Sequence, residues 1–401
     1  MVRLIAIALS ALCLIGGGIF TWSHLSEKGE DDFLCQAGFC GVISATYTNE
    51  PINPFGWSDL AEQKGEAGDM AGAREAFRRS LQLGPNIPQV LIRYVNFEVA
   101  NGQIVRVLPQ LRHILELTNA YDNLVFRYVV RSEMDSKQVL AEVIPDPGRG
   151  SAEEMAKRAA GAGGHATAPD GEGRPRGDAA RAWTSYLLAE RRPEAESTYG
   201  WLAERGGVTP GLRNQWIEYL IQVRKDYAKA VATWAAAHTD REYPGENRVF
   251  NGGFVRERTE GRLDWSLATH PRVTAKMGDG LRLTFDGQEN IAYGHLSQQT
   301  FVPAGAWRFV ADADAEGLST DQRPFFRVHD TFDARRLDVT TAMAPEPMTV
   351  DFTVPTGGSW VTITFLRRQS GKFDNKLKGV IRVKKVTIKR VGGGGGAADG
   401  G

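Results

Sequence analysis

The hydrophobic period of this chain changes once, near Tyr243-Pro-Gly245, and that change divides what the chain can fold into. Before it, apolar residues recur three and four apart, as on one face of a helix. After it they alternate. Leu281-Arg-Leu-Thr-Phe285, Trp307-Arg-Phe-Val-Ala311, Val350-Asp-Phe-Thr-Val354 and Val361-Thr-Ile-Thr-Phe365 each place apolar side chains at i, i+2 and i+4. Alternation of this kind marks strands with one buried face. Gly278-Asp-Gly280, Pro303-Ala-Gly305 and Pro355-Thr-Gly-Gly358 supply turns between them. Ile381 and Val383 alternate, and Val386 and Ile388 do so out of phase, which predicts a β-bulge at Lys384-Lys385. About eight strands punctuated in this way predict an all-β sandwich over residues 244–391.

Residues 55–243 read as an all-α array of helical pairs. Trp57, Leu60 and Ala61, then Ala73, Phe77 and Ser80, then Pro85, have the spacing of a tetratricopeptide repeat, which this hairpin resembles. Ala61 and Ala73 are small enough for two antiparallel helices to approach closely. Trp57, Leu60 and Phe77 would fill the seam, Gly68-Asp69 would turn the chain, and Pro85 would close the second helix. Lys64 stands where such repeats carry an aromatic residue. Further pairs are expected around Leu91, Tyr94, Val95, Leu111 and Ile114, around Trp183, Tyr186, Leu187, Ala195, Tyr199 and Leu202, and around Trp216, Tyr219, Leu220, Tyr227, Val231 and Trp234. Arrays of this sort bury their faces against their neighbours and build a surface for partner proteins. Residues 145–178 are rich in Gly and Pro and are expected to form a mobile loop within the array.

The chain starts with Met-Val-Arg3 and then an uncharged, mostly apolar run over residues 4–22. As a helix that run would reach about 28 Å, close to the thickness of a bilayer core. The run is long and lacks a small-residue cleavage site. A transmembrane signal anchor over residues 1–25 is therefore expected, with a cleaved signal peptide as the rival. Arg3 would keep its end in the cytoplasm, which places the bulk of the chain in the periplasm of a bacterial inner membrane. Cys13 lies inside the run, while Cys35 and Cys40 lie in a linker over residues 26–54. In an oxidising compartment Cys35 and Cys40 suit a small structural disulfide loop, with free thiols as the alternative. The Gly-rich residues 392–401 are expected to be a disordered tail.

A second resemblance sits in the β region. Phe250-Asn-Gly-Gly-Phe254, Leu263-Asp-Trp265, Gly280-Leu-Arg-Leu283, the Gln298-Gln299 strand and Pro303-Ala-Gly-Ala-Trp307 resemble the opening of jelly-roll carbohydrate-binding modules. Those modules often carry an acidic pair in the last strand, where this chain has Lys384 and Lys385. Anchor, helical repeats and jelly roll together resemble tetratricopeptide proteins of bacterial exopolysaccharide biosynthesis and export. The resemblance implies a non-enzymatic, membrane-anchored periplasmic scaffold in surface polysaccharide export, which binds envelope proteins through its helical repeats. Two alternatives stand beside it: a carbohydrate-binding protein acting through the jelly roll, or an assembly factor of a pilus or secretion machine.

Charge and motifs narrow the chemistry. Lys+Arg and Asp+Glu both number 48, so net charge favours neither nucleic acid nor an acidic partner. No metalloprotease, nucleophile-elbow, phosphate-loop or dinucleotide signature is present, and no cofactor, metal or catalytic residue is expected. Asp312 and Asp314 share the polar face of one strand. Trp265, Trp307, Phe326, Arg327 and Trp360 are candidates for glycan contact, because apolar sugar faces stack on rings. Packed core is the competing assignment for Trp265 and Trp307. Residues 365–391 hold ten cations opposed only by Asp374, and within them Arg382, Lys384, Lys385 and Lys389 form a candidate basic patch for an anionic polysaccharide or lipid headgroups.

Overall fold

The computed structural model describes residues 52–148, 175, 177–238 and 240–391. The expected anchor at residues 4–22, Cys13, the Cys35–Cys40 pair, most of the 145–178 loop and the 392–401 tail lie outside them. Among the described residues no helix is long and apolar enough to cross a membrane. The described residues fall into two compact units, the first of residues 52–145 with 175 and 177–179, the second of residues 146–148 with 180–238 and 240–391.

The first unit is helical. Asn53 caps α1 (Pro54–Glu66) by accepting from the Phe55 and Gly56 amides, and Pro54 takes the first turn, where its missing N–H costs nothing. Gly68 turns the chain at φ 84°, a conformation that favours glycine. Asp69 then caps α2 (Met70–Leu83) through the Gly72 amide, 2.8 Å away, and also holds Lys64 at 3.0 Å. Ala61, Ala73 and Phe77 are fully buried, and Trp57, Leu60, Tyr94 and Phe97 pack around that seam. Buried Ser58 and Ser80 bond each other at 2.7 Å, and Ser80 also donates to the Pro54 carbonyl at 2.6 Å. The second helix ends at Gly84, and Pro85 follows it on the surface. Helices α3 (Pro88–Ala100), α4 (Leu108–Leu117) and α5 (Asp122–Arg131) continue the unit. Arg93 on α3 grips both Asp59 and Glu62 on α1. Glu98 on α3 is fully buried and is held by Arg74 on α2 at 2.9 Å.

The second unit joins helices to a sandwich. Its helices are α6 (Asp178–Ala189), α7 (Ala195–Glu204), α8 (Pro210–Tyr219) and α9 (Tyr227–Ala237). Tyr199 stacks on Trp216 at 4.6 Å between centroids, which joins α7 to α8. The strands that follow are β1 (Ser266–Leu267), β2 (Val273–Gly278), β3 (Gly280–Asp286), β4 (Tyr293–Val302), β5 (Gly305–Glu316), β6 (Phe325–Asp330), β7 (Asp338–Thr340), β8 (Met348–Val354), β9 (Ser359–Arg367) and β10 (Lys378–Arg390). They form two antiparallel sheets, ordered β1-β4-β9-β6-β7 and β2-β3-β10-β5-β8. The chain crosses between sheets at β1–β2, β3–β4, β4–β5, β5–β6, β7–β8, β8–β9 and β9–β10, which is the jelly-roll habit. Leu281, Leu283, Phe285, Phe309, Val361, Ile363, Phe365, Ile381 and Val383 fill the space between the sheets. The register of β10 on β5 shifts between Val383 and Lys385, which is the bulge at Lys384.

Residues 180–243 carry a helical period yet belong in space with the sandwich. Tyr227 on α9 packs on Trp360, Phe301 and Phe332, with centroids 5.5, 5.7 and 6.1 Å away. Trp234 meets Phe250 edge-on at 5.5 Å.

Candidate functional site

Each sheet of the sandwich turns one face to the core and one outward, and the two outward faces differ. On the first sheet the strand register assembles two rows across the strands. One runs Ser266, Ser297, Thr364, Arg327, Thr340. The next runs Gln299, Thr362, His329, Asp338. Every side chain in these rows carries a hydrogen-bonding group, six of them (Ser297, Thr364, Arg327, Gln299, Thr362 and His329) are half-buried, and the buried Nδ1 of His329 has no partner among the described residues. Arg327 and Asp338 are joined by two bonds of 2.7 and 2.8 Å. The guanidinium holds the Asp338 carboxyl below the usual carboxylate range. Burial, helped by the Arg327 charge, pushes His329 below the ordinary imidazole value, so its ring stays neutral at neutral pH.

Helices α8 and α9 wall one side of this face. Glu218 on α8 pairs with Arg262 at 2.7 Å, and Arg262 reaches the Gln299 amide oxygen at 3.4 Å. Asn214 on α8 donates to the Glu260 carbonyl at 2.9 Å. Tyr227 on α9 covers the third row, Phe301 and Trp360. The result is a shelf of amide, hydroxyl, imidazole and one neutralised ion pair beside a helical wall.

The rings that the sequence nominated for glycan contact are placed differently. Trp265 is 1 % exposed, packs on Phe254 and donates to the Asn251 carbonyl at 3.2 Å. Trp307 is 2 % exposed and donates to the Pro303 carbonyl at 2.8 Å. Phe326 is fully buried between Phe309 and Phe365. Trp360 does point outward from the first sheet, but Tyr227 covers it, and its indole N–H is spent on Gln299 at 3.0 Å. None of the four presents a ring face to a ligand, because each ring contributes more by leaving water for the core. Only Arg327 of the nominated set lies on the shelf.

The second sheet's outer face is open and charged. Lys384 pairs with Asp314 and Lys385 with Glu242, each at 2.7 Å. Two members of the expected basic patch are therefore neutralised by carboxylates far away in sequence. Lys389 lies across from Arg308, which is itself held by Asp351. Arg382 remains, and neighbouring strands bring it company that the sequence reading missed: Arg282 on β3 and, beyond it, Lys276 on β2. Strand register was the missing signal. It cannot be read from local period, so Ser297, Thr362, Thr364, His329 and Asp338 were missed for the same reason. Among the described residues no group of three or more His, Cys, Asp or Glu side chains is placed to hold a metal ion.

No family model matches the chain, and no curated protein does. Solved structures similar to it include a bacteriophage CBA120 tailspike domain (15% identity, TM-score 0.26), which covers 36% of this chain and 21% of the tailspike chain. A CBM61 carbohydrate-binding module in complex with β-1,4-galactotriose shows 16% identity and a TM-score of 0.25, covering 36% of this chain and 99% of the module. A CBM4 module shows 15% identity and a TM-score of 0.23, covering 35% and 98%. The chain thus spans about a fifth of the tailspike and nearly all of either module. Likenesses this loose carry no ligand or activity across to this chain.

Proposed function

We propose that the second unit is a carbohydrate-binding module whose ligand lies on the outer face of the first sheet, against the α8–α9 wall. The observation that carries this reading is the pair of half-buried rows Ser297, Thr364, Arg327 and Gln299, Thr362, His329. Hydroxyl, amide and neutral imidazole groups match the alternating donors and acceptors of sugar hydroxyls. Their shelter behind a wall raises the cost of leaving them unpaired and so rewards a ligand that pairs them. The unit acts by binding, not catalysis. Glycoside hydrolysis uses two carboxyl groups, one of them protonated, whereas these rows hold only Asp338, and Arg327 keeps it ionised. The anchor expected at residues 4–22 would hold this module at a membrane surface, where its substrate would be a surface polysaccharide on its way to export.

The test is a glycan array probed with the full chain, followed by calorimetry on the best ligand. Thr364→Val keeps the β-branched shape and removes one hydroxyl, and Arg327→Ala removes the central cation. Each is expected to weaken binding by about fivefold to tenfold, the scale of one lost hydrogen bond. If both variants bind as tightly as the parent while remaining folded, the ligand is not on this face.

A further inference from the structure

The second sheet carries a row of like charges that its own chain does not neutralise. Lys276, Arg282 and Arg382 stand directly opposite one another on three successive strands, β2, β3 and β10. All three are exposed, and none makes an ion pair with a carboxylate among the described residues. The next position in the row is Asp314, in register with Arg382, but that carboxylate is taken by Lys384 at 2.7 Å. Adjacent strands lie about 4.8 Å apart, so the three cations span about 10 Å. Like charges directly opposite each other weaken a sheet. Cations on an edge strand guard against sheet-to-sheet pairing, and that accounts for Lys276 on β2. It does not account for Arg282 or Arg382, because β3 and β10 are interior strands and β10 is the middle one.

The ground around the row is clear. On one side lie Thr274 and Thr284, on the other Gly278 and Gly280. On β10 the cations are flanked by Val380 and by Lys384, whose ammonium is engaged by Asp314. The strip offers no exposed ring for stacking a base and no large exposed apolar residue for entering a lipid layer; those exposed among the described residues, such as Val255, Phe332 and Phe373, lie outside β2, β3 and β10.

We infer that the Lys276–Arg282–Arg382 row is a binding site for a linear acidic polysaccharide, whose carboxylates meet the cations while its hydroxyls meet Thr274 and Thr284. This site is separate from the sheltered shelf of the first sheet and does not depend on it. It also moves the basic patch: the working cations are those without partners, whereas Lys384 and Lys385 are held by Asp314 and Glu242.

The probe is polygalacturonate, set against its fully methyl-esterified form, which keeps the backbone and removes the charge. Calorimetry with the full chain at low salt should show binding to the acid and not to the ester at this face. Binding should fade as salt shortens the screening length from about 10 Å at 0.1 M to about 3 Å at 1 M. Arg282→Gln with Arg382→Gln should weaken it by about tenfold, while Lys384→Gln with Lys385→Gln should change it little. Thr364→Val and Arg327→Ala, on the other sheet, should leave this binding intact, so failure of either site is visible without the other. Equal affinity for acid and ester, indifference to salt, or an unchanged affinity in the Arg282/Arg382 variant overturns the assignment. Tighter binding to phosphatidylserine vesicles or to single-stranded DNA than to polygalacturonate also overturns it. The ester and salt comparisons hold even if the double variant fails to fold.

Discussion

Trp360 separates a packing role from a ligand role, and truncating it to alanine should lower stability without targeting binding. The indole is fully buried, pairs in register with Phe301, lies under Tyr227 at 5.5 Å and gives its N–H to Gln299 at 3.0 Å. Removing a large buried aromatic side chain costs about 3–5 kcal/mol through lost transfer energy and a residual cavity. The Gln299 amide oxygen would keep only the longer contact from Arg262. A unit of about two hundred residues loses about 2–4 °C per kcal/mol, so the melting transition of the second unit should fall by about 6–20 °C. Trp360→Phe keeps most of the ring and loses chiefly the indole bond, so it should cost about 1–2 kcal/mol. The assays are thermal unfolding followed by near-ultraviolet dichroism, and calorimetry on the best glycan below the transition. Trp360→Phe should retain glycan affinity within about twofold, because the ring faces Tyr227 and not solvent. A Trp360→Ala protein with an unmoved transition and no glycan binding would refute the packing assignment and restore the ring as a stacking platform.

Three more outcomes follow from the geometry. Burial holds His329 below its ordinary value of 6.5, so between the lowered folded value and 6.5 the unfolded chain binds more protons. Stability should therefore be complete above 6.5 and decline as pH falls through the folded value. His329→Gln should flatten that slope in urea titrations between about pH 7.5 and pH 5. Ala73 is fully buried with its Cβ toward Gly65, which packs on Phe97, so Ala73→Leu overfills that seam and the first unit should lose about 1–3 kcal/mol while the second melts unchanged in calorimetry. Arg367 is 2 % exposed and donates to Asn290, Ile291, Gln322 and Asn375. Arg367→Met orphans the Ile291, Gln322 and Asn375 carbonyls, while Asn290 Oδ1 keeps the Ser370 amide, so it should cost about 3 kcal/mol and speed amide exchange in the three loops they belong to.

Local period made the two kinds of structure legible, because burial of one face repeats every 3.6 residues in a helix and every two in a strand. It located Trp307 and Phe309 on one face of β5 and found the bulge at Lys384, where the alternation loses step. It could not say which core a helix joins. Helices α8 and α9 have the same pattern as α1 and α2, yet Tyr227 and Trp234 bury against Phe301 and Phe250 of the sandwich. The residues of the two outward faces were illegible for a related reason. Arg327 and Asp338 are eleven positions apart, Lys385 and Glu242 are 143 apart, and only strand register or chain return brings them together. Aromatic residues misled in the opposite direction. A ring suits a sugar face and a protein core equally well in sequence, and in this sandwich the core took Trp265, Trp307 and Phe326.

The contrast between the two outward faces has a common physical cause. Beside the α8–α9 wall, water is partly excluded, and a lone charge there would carry a desolvation cost that its surroundings do not return. The first sheet accordingly shows hydroxyls, amides and a neutral imidazole, and its one ion pair is closed by two bonds between Arg327 and Asp338. The second sheet has no such wall among the contacts of β2, β3 and β10, so cations there keep their hydration and are cheap to display. A sheltered face of neutral polar groups discriminates by hydrogen-bond geometry and responds little to salt. An open row of cations discriminates by charge and is screened by salt. Unlike the uniformly acidic polygalacturonate, a polymer with a neutral hydroxyl-rich stretch and a separate acidic stretch would engage the two faces at once. Its affinity for the full chain would then exceed that of either face by a factor set by the span between them, and it would drop to a single-site value when either Arg327→Ala or the Arg282/Arg382 pair of changes is made.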